Sequence, residues 1–259
     1  MQQLDPGPKA LPDAATAKAA TPPWRLRTWH LFAWTAATAA MVASSASMGR
    51  AAGQTALDSF LDLLAALAYP PLAVAMCIAA EGLVRCYRGE ELFPAHPGEI
   101  VICLVALRGV NWLQHRVLSW SLGFRYAASP VLRAVSPLVA VGLLIVAVVL
   151  VVRYVRQNPR AAWTPFLLLK VSGMLLSADR TVLPELARVV GVTWRAALPM
   201  AVSYLLALLT GLAFCWAVVR DHQTRTTRPW THWAGVAIVA YEFAINYGGG
   251  MWLWSVSAR

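Results

Sequence analysis

Charged and polar residues inside apolar stretches are the first place to look for chemistry in this chain. Glu242 lies near the middle of such a stretch, with Asn246 about one helical turn later. A charge in hydrocarbon is costly unless it is paired or hydrated. A carboxylate and a carboxamide on one face, followed by the three glycines 248–250, can coordinate a cation or relay a proton. The competing explanation is a structural glutamate, neutralised by protonation or by an arginine from a neighbouring helix.

A second polar group lies earlier in the chain. Arg108, Asn111 and His115 stand at i, i+3 and i+7, with Gln114 beside them, so one helical face is polar over about two turns. If that face points into a helical bundle, Arg108 can pair with Glu242 and each charge satisfies the other. The alternative is an amphipathic helix lying in the membrane interface. The candidate intramembrane polar site therefore comprises Glu242, Asn246, Arg108, Asn111 and His115.

Three further charged residues have simpler interpretations. Lys170 interrupts another apolar stretch, and we expect its long side chain to extend to the membrane surface. The alternative is that Lys170 is the buried partner of a carboxylate. Glu81 and Arg85 stand at i and i+4, which predicts a local ion pair.

The sequence carries none of the common catalytic or cofactor-binding motifs. The chain has no GxSxG, HExxH, P-loop or GxGxxG pattern, and its four cysteines form no CxxC pair. We therefore predict no catalytic residue, no cofactor and no metal site. An intramembrane enzyme would require His96 or His115 to meet a carboxylate such as Glu99 or Glu91, and no spacing in the sequence selects that meeting.

The elements that must position these residues are hydrophobic helices. The 259 residues are 59% apolar and 13% charged, against about 45–50% and about 25% in soluble domains. The apolar residues form long runs, which predict an all-α, polytopic transmembrane bundle of about seven spans, with six as the alternative. One transmembrane domain then covers residues 24–259, and the Pro- and Ala-rich segment 1–23 is a disordered tail. The predicted spans lie near residues 28–48, 60–82, 100–120, 131–152, 163–178, 198–219 and 233–254.

Several of these spans have an alternative interpretation. The first could be a cleaved signal sequence, because basic residues precede it and small residues follow it. Tyr69-Pro70-Pro71 must kink or divide the second span. The third is the most polar, and the fifth is so short that it could cross the membrane, re-enter it or lie at its surface.

Charge and tryptophan placement indicate how the chain is oriented. The net charge is +10, but the arginines lie between apolar runs, which suits membrane orientation and anionic headgroups and argues against nucleic-acid binding. Lys and Arg are more frequent in the loops that share the N-terminus's side of the membrane than in the loops on the other side. This predicts a cytoplasmic N-terminus. Most tryptophans fall near predicted span ends, where an indole buries its ring and hydrates its N–H. We favour a bacterial inner membrane, with a mitochondrial inner membrane as the alternative.

Three classes of function remain at this point. We rank a small-solute or ion transporter or channel-like protein first, with the polar site lining its path. A non-catalytic membrane subunit or assembly partner of a larger complex is second, and an intramembrane or lipid-modifying enzyme is last. The expected partners are the lipid bilayer and either another membrane protein or further copies of this chain.

Overall fold

A computed structural model of the chain describes residues 28–46, 66–67, 69–90, 92–128, 130–158, 161–190, 200–224 and 228–245. Within these ranges all regular structure is helical, as the composition predicts. The predicted tail at residues 1–23 lies outside them. The helices are α1 (Thr28–Ala46), α2 (Tyr69–Tyr87), α3 (Pro97–Ala128), α4 (Pro130–Gln157), α5 (Thr164–Val190), α6 (Met200–Gln223) and α7 (Trp230–Phe243).

Several helices extend beyond the apolar run that predicted them. Helix α3 continues to Ala128 rather than ending near residue 120, and α5 continues to Val190 rather than ending at residue 178. The reason is that hydropathy marks only the apolar part of a helix, whereas backbone hydrogen bonding continues through polar residues of good helix propensity. The fifth segment is therefore not a short helix.

Several of the described helices begin at or beside a proline, although Pro137 and Pro184 lie inside α4 and α5. Helix α2 is described from Tyr69, with Pro70 and Pro71 in its first turn, and residues 66–67 before it are also helical. Pro97 and Pro130 open α3 and α4, and Pro229 is the N-cap of α7. At these positions the missing proline N–H has no intrahelical partner to lose, and the fixed φ suits the helix.

Helix α3 is the central helix of the described bundle, packing against α2, α4 and α7. Every residue from Ile100 to Ala106 is buried. This packing favours the interior location for α3 over an amphipathic helix at the periphery. Helix α1 packs on α2, and α5 packs between α4 and α6.

One end of the bundle, which we call the loop end, is where α3, α5 and α7 begin and α6 ends. There the backbones of α3 and α7 touch, because Gly98 and Gly235 face each other without side chains. A Cβ atom on Gly98 would collide with the carbonyl oxygen of His232, and one on Gly235 with that of Gly98. The two glycines therefore allow a helix crossing that no larger residue permits.

An aromatic cluster joins α5, α6 and α7 near the same end. The ring centroid of Trp163 lies 5.7 Å from that of Phe166 and 6.1 Å from that of Phe214. The Phe214 ring stacks on Phe243 at 5.9 Å. Trp163 stands at the start of a predicted span, where we expect an indole to hydrate its N–H, but it is only 1% exposed and this expectation is wrong for Trp163.

Helices α4 and α6 present apolar side chains outward. Leu138, Ile145 and Val149 of α4 are each more than half exposed, as are Leu208 and Leu212 of α6. Such continuous apolar surface suits lipid and would be unfavourable in water. Among the residues that the structure describes, three helical segments are long and apolar enough to cross a membrane, namely Tyr69–Tyr87, Ala134–Gln157 and Val202–Gln223, and these indicate a membrane location.

Candidate functional site

A cavity of about 630 Å³ lies between helices α3 to α7. Its volume falls within the range of about 300–1,000 Å³ that is usual for small-molecule sites. Most of its wall is apolar, and the polar side chains that line it are Arg108, Asn111, Lys170, Ser177, Ser203, Thr210 and Glu242. Three of the five residues proposed from the sequence, Arg108, Asn111 and Glu242, therefore line one space.

Glu242 is the centre of the charged group in the cavity wall. Its side chain is 9% exposed, and it lies twelve residues after the start of α7 at Trp230, or about 18 Å along the helix. Lys170 Nζ donates to Glu242 Oε2 at 2.8 Å, and Arg108 Nη1 donates to Glu242 Oε1 at 3.5 Å. The two oxygens of one carboxylate thus contact cations from α5 and α3.

The contact between Arg108 and Glu242 is the pairing that one of the two interpretations of the α3 stripe allows. The preferred interpretation of Lys170 is wrong. Lys170 does not extend away from the bundle; it points inward, and its side chain is 22% exposed. A lysine stem can turn either way from a helix, and a nearly buried carboxylate on α7 fixes its direction because the ion pair offsets the cost of burying that carboxylate.

The remaining members of the predicted polar stripe on α3 divide between two surroundings. Asn111 faces the cavity, and its Oδ1 also accepts from Gln114 Nε2 at 3.5 Å. Gln114 Nε2 donates to Ser136 Oγ of α4 at 2.9 Å, and His115 Nδ1 lies 3.1 Å from the same hydroxyl. His115 therefore bonds to the neighbouring helix and does not line the cavity. Asn246, the fifth predicted residue, lies outside the described residues.

A second polar cluster, which the sequence does not predict, surrounds Asp221 at the loop end. Trp163 Nε1 donates to Asp221 Oδ2 at 2.9 Å, and Arg228 Nη2 donates to Asp221 Oδ1 at 3.0 Å. His232 Nε2 lies 3.0 Å from Asp221 Oδ2, within ion-pair distance but without the alignment of a hydrogen bond. The cluster ties the first residues of α5 and α7 to the end of α6.

His232 has no access to solvent, and its ring is held from both sides. Its Nδ1 accepts a hydrogen bond from the Gly98 N–H at 3.1 Å, so this nitrogen carries no proton. The neutral ring then carries its proton on Nε2, toward Asp221. Because the side chain is 0% exposed, this Asp–His pair cannot reach a substrate and acts as a structural connection between α3, α6 and α7.

Glu99 serves the same end of the bundle as a helix cap. Its Oε2 accepts from the backbone N–H groups of Ala95 and His96 at 2.9 and 3.1 Å, which satisfies donors at the start of α3. Its Oε1 accepts from Thr231 Oγ1 of α7 at 2.6 Å. His96 thus contacts Glu99 through its backbone, not through the imidazole that acid–base catalysis would need.

A third polar contact, at Glu81 of α2, connects α1 to α2. Arg85 Nε donates to Glu81 Oε1 at 3.2 Å, which confirms the predicted i, i+4 pair. His30 Nε2 of α1 makes a short contact with Glu81 Oε2. The sequence predicts the local half of this arrangement and not the contact across helices.

Within the described ranges no three His, Cys, Asp or Glu side chains come together as a metal site. Comparisons of the chain with family models, with curated proteins and with solved structures find no match. A functional assignment therefore has to be argued from the cavity and its charged wall.

Proposed function

We propose that this chain is a multi-pass protein of about seven spans in a bacterial inner membrane, and that it moves a small solute or ion through the cavity bounded by α3 to α7. The N-terminus is cytoplasmic in this proposal. Glu242, Arg108, Lys170 and Asn111 then form the polar part of the path.

The apolar helices support the membrane part of the proposal. Three segments have the length and composition of a span, and α3, α5 and α7 pack among them with charged residues turned inward. Helices of 27 and 32 residues, such as α5 and α3, are long enough for a hydrocarbon core about 30 Å thick. Inward-facing charge is where such helices tolerate it.

Arginine placement supports the orientation. Arginines near the loop end, or at the ends of helices leading to it, are Arg85, Arg88, Arg153, Arg156, Arg220 and Arg228. The start of α1 lies on the same side, since His30 contacts Glu81 late in α2. Because basic residues are retained in the cytoplasm, the loop end and the N-terminus are assigned to that side.

The observation that carries the transport proposal is the ionised group in the cavity wall. A carboxylate, an ammonium and a guanidinium from three different helices meet beside a cavity of about 630 Å³. Ionisable groups held within a span are costly and are characteristic of solute and proton pathways. A subunit whose role is only to make helix contacts has no need of such a wall.

A flux measurement on purified protein in liposomes tests the proposal. Wild-type chain and Glu242→Gln are reconstituted in parallel, and uptake of labelled octanoate, phosphate, K⁺, choline and glycerol is compared with that of protein-free liposomes. Glu90→Gln is the control, because Glu90 lies in the loop after α2 and its contact with Arg88 is at the surface.

We expect at least one solute to enter faster with wild type and with Glu90→Gln than without protein. Glu242→Gln should reduce that uptake by about tenfold or more, about 1.4 kcal/mol in the transport barrier, because Lys170 and Arg108 lose the carboxylate that holds them at the cavity wall. If no solute enters faster than in protein-free liposomes, the transport proposal is wrong and the subunit alternative replaces it.

A further inference from the structure

We infer that the cavity takes an organic anion, with a carboxylate or phosphate group at Arg108 and an apolar tail along the remaining wall. This inference names the substrate class of the site and rests on the proposed function for the cavity being in use. It follows from the charge balance, the geometry of Arg108 and the composition of the opposite wall.

The charge balance of the described cavity wall is positive. Two cations, Arg108 and Lys170, face one carboxylate, Glu242. In surroundings of low dielectric constant an excess charge is strongly unfavourable unless a counter-charge accompanies it. A ligand that carries one negative charge neutralises the group, whereas a cationic ligand would add to the excess.

The geometry assigns the anion to Arg108 rather than to Lys170. Lys170 is close to Glu242, at 2.8 Å, while Arg108 reaches the same carboxylate only at 3.5 Å. The Arg108 side chain is 61% exposed, so most of its five N–H donors remain open to a ligand. A guanidinium presents these donors as a planar fork that matches the oxygens of a carboxylate or phosphate.

The rest of the wall selects a ligand with hydrocarbon. Leu143, Leu144, Leu169, Met174, Leu206 and Phe243 line the cavity beside the charged group. A small inorganic anion would leave this apolar surface without a partner, and a wholly apolar molecule would leave Arg108 without one. An amphiphile with one anionic end satisfies both parts of the wall.

Binding of four molecules with the same eight-carbon chain tests the inference. Octanoate, octyl phosphate, octanol and octyltrimethylammonium are titrated calorimetrically into the protein in nanodiscs of zwitterionic phosphatidylcholine, with empty nanodiscs as the blank. The variants are Arg108→Gln, Arg108→Lys and, as a matched control, Arg156→Gln, because Arg156 is an exposed arginine at the end of α4.

We expect the two anions to bind about tenfold or more tightly than octanol, since a charge-assisted hydrogen bond is about twice as strong as a neutral one. Octyltrimethylammonium should show no binding. Arg108→Gln should lose the preference for the anions, Arg108→Lys should keep part of it because the charge remains without the fork, and Arg156→Gln should match wild type. Competition by phosphatidylglycerol then separates the two sources of the anion: displacement of octanoate identifies a lipid headgroup, and its absence identifies a free amphiphile.

Equal binding of octanoate and octyltrimethylammonium, or unchanged octanoate binding to folded Arg108→Gln, would overturn the inference. If Arg108→Gln does not fold, octanoate binding to Arg108→Lys and the comparison of the four ligands on wild type test the inference instead. Glu242-dependent uptake of K⁺ or choline without octanoate binding would remove this inference and leave transport standing. Octanoate binding without uptake of any solute would support this inference and contradict the transport proposal.

Discussion

Lys170 Nζ of α5 lies 2.8 Å from Glu242 Oε2 of α7, although the two residues are 72 positions apart in the chain. Both residues line the cavity, and their contact joins two helices that are not consecutive in the chain. Because the carboxylate is 9% exposed, its stability in this position depends on the cations around it.

Removing the lysine charge should destabilise the fold. Lys170→Met removes the 2.8 Å contact to Glu242, and we expect the free energy of unfolding to fall by about 2–4 kcal/mol, because a nearly buried charge has lost this close partner. Chemical denaturation in neutral detergent micelles measures this. The double variant Lys170→Met/Glu242→Gln should recover most of the loss, and an unfolding curve of Lys170→Met that matches wild type would contradict the role of the pair.

Loss of Asp221 should strongly destabilise the fold, although the Asp221 cluster does not line the cavity. Asp221→Ala leaves Trp163 and Arg228 without the acceptor that they share and removes the carboxylate beside His232, so we expect a loss of about 3–5 kcal/mol in unfolding free energy. Trp163→Phe removes one donor and part of the ring, and should cost less than Asp221→Ala. Glu90→Ala, at an exposed pair, should change stability by less than about 1 kcal/mol. Equal effects of Asp221→Ala and Glu90→Ala would show that the cluster does not hold the helices.

The crossing of α3 and α7 predicts opposite outcomes for two kinds of Gly→Ala change. Gly98→Ala and Gly235→Ala each place a Cβ atom against backbone that cannot move aside, so we expect little folded protein. Gly142→Ala meets no atom within 4 Å and should gain about 0.5–1 kcal/mol from higher helix propensity. The yield of monodisperse protein by size-exclusion chromatography, together with unfolding curves, distinguishes these cases; a normal yield of Gly98→Ala would mean that the two backbones are not in contact.

Two cysteines test which exposed surface faces lipid. Cys86 and Cys215 are both exposed in the structure, but Cys86 lies at the end of α2 and Cys215 lies inside the apolar segment Val202–Gln223. A membrane-impermeant maleimide should label Cys86 and not Cys215 in single-cysteine variants, because a thiol in lipid does not meet an aqueous reagent. Both should react in sodium dodecyl sulfate.

The same reagent reports orientation. With a cytoplasmic loop end, Cys86 should react in inverted inner-membrane vesicles and not in intact cells. Labelling of Cys215 in native membranes at the rate of Cys86 would contradict the assignment of α6 as a span.

The sequence offers the contact between Arg108 and Glu242 as one of two interpretations, because two charges in apolar stretches have few ways to avoid a high cost, and pairing is one of them. It does not predict the partner of Lys170, since a flexible side chain of that length can reach either the bundle interior or the surface. The difference depends on the position of α7 relative to α5, which no local pattern specifies.

The Asp221 cluster shows a similar limit. Asp221 lies in the last turn of the apolar helix α6 and stands beside Arg220, so its sequence context resembles an ordinary helix end. Its importance comes from Trp163, 58 positions away, which also resembles an interfacial tryptophan when only sequence is considered. The helical class follows from composition, whereas these long-range polar contacts follow from how the helices are arranged.

Helices α3 and α7 cross with their backbones in contact where Gly98 meets Gly235. Arg108 stands ten residues beyond this point on one helix and Glu242 seven residues beyond it on the other, which gives lever arms of about 10–15 Å. A rotation of about 5° between two helices with such arms displaces their side chains by about 1 Å, given the same helical rise. The distance between Arg108 and Glu242 is thus sensitive to the crossing angle of α3 and α7 at Gly98 and Gly235.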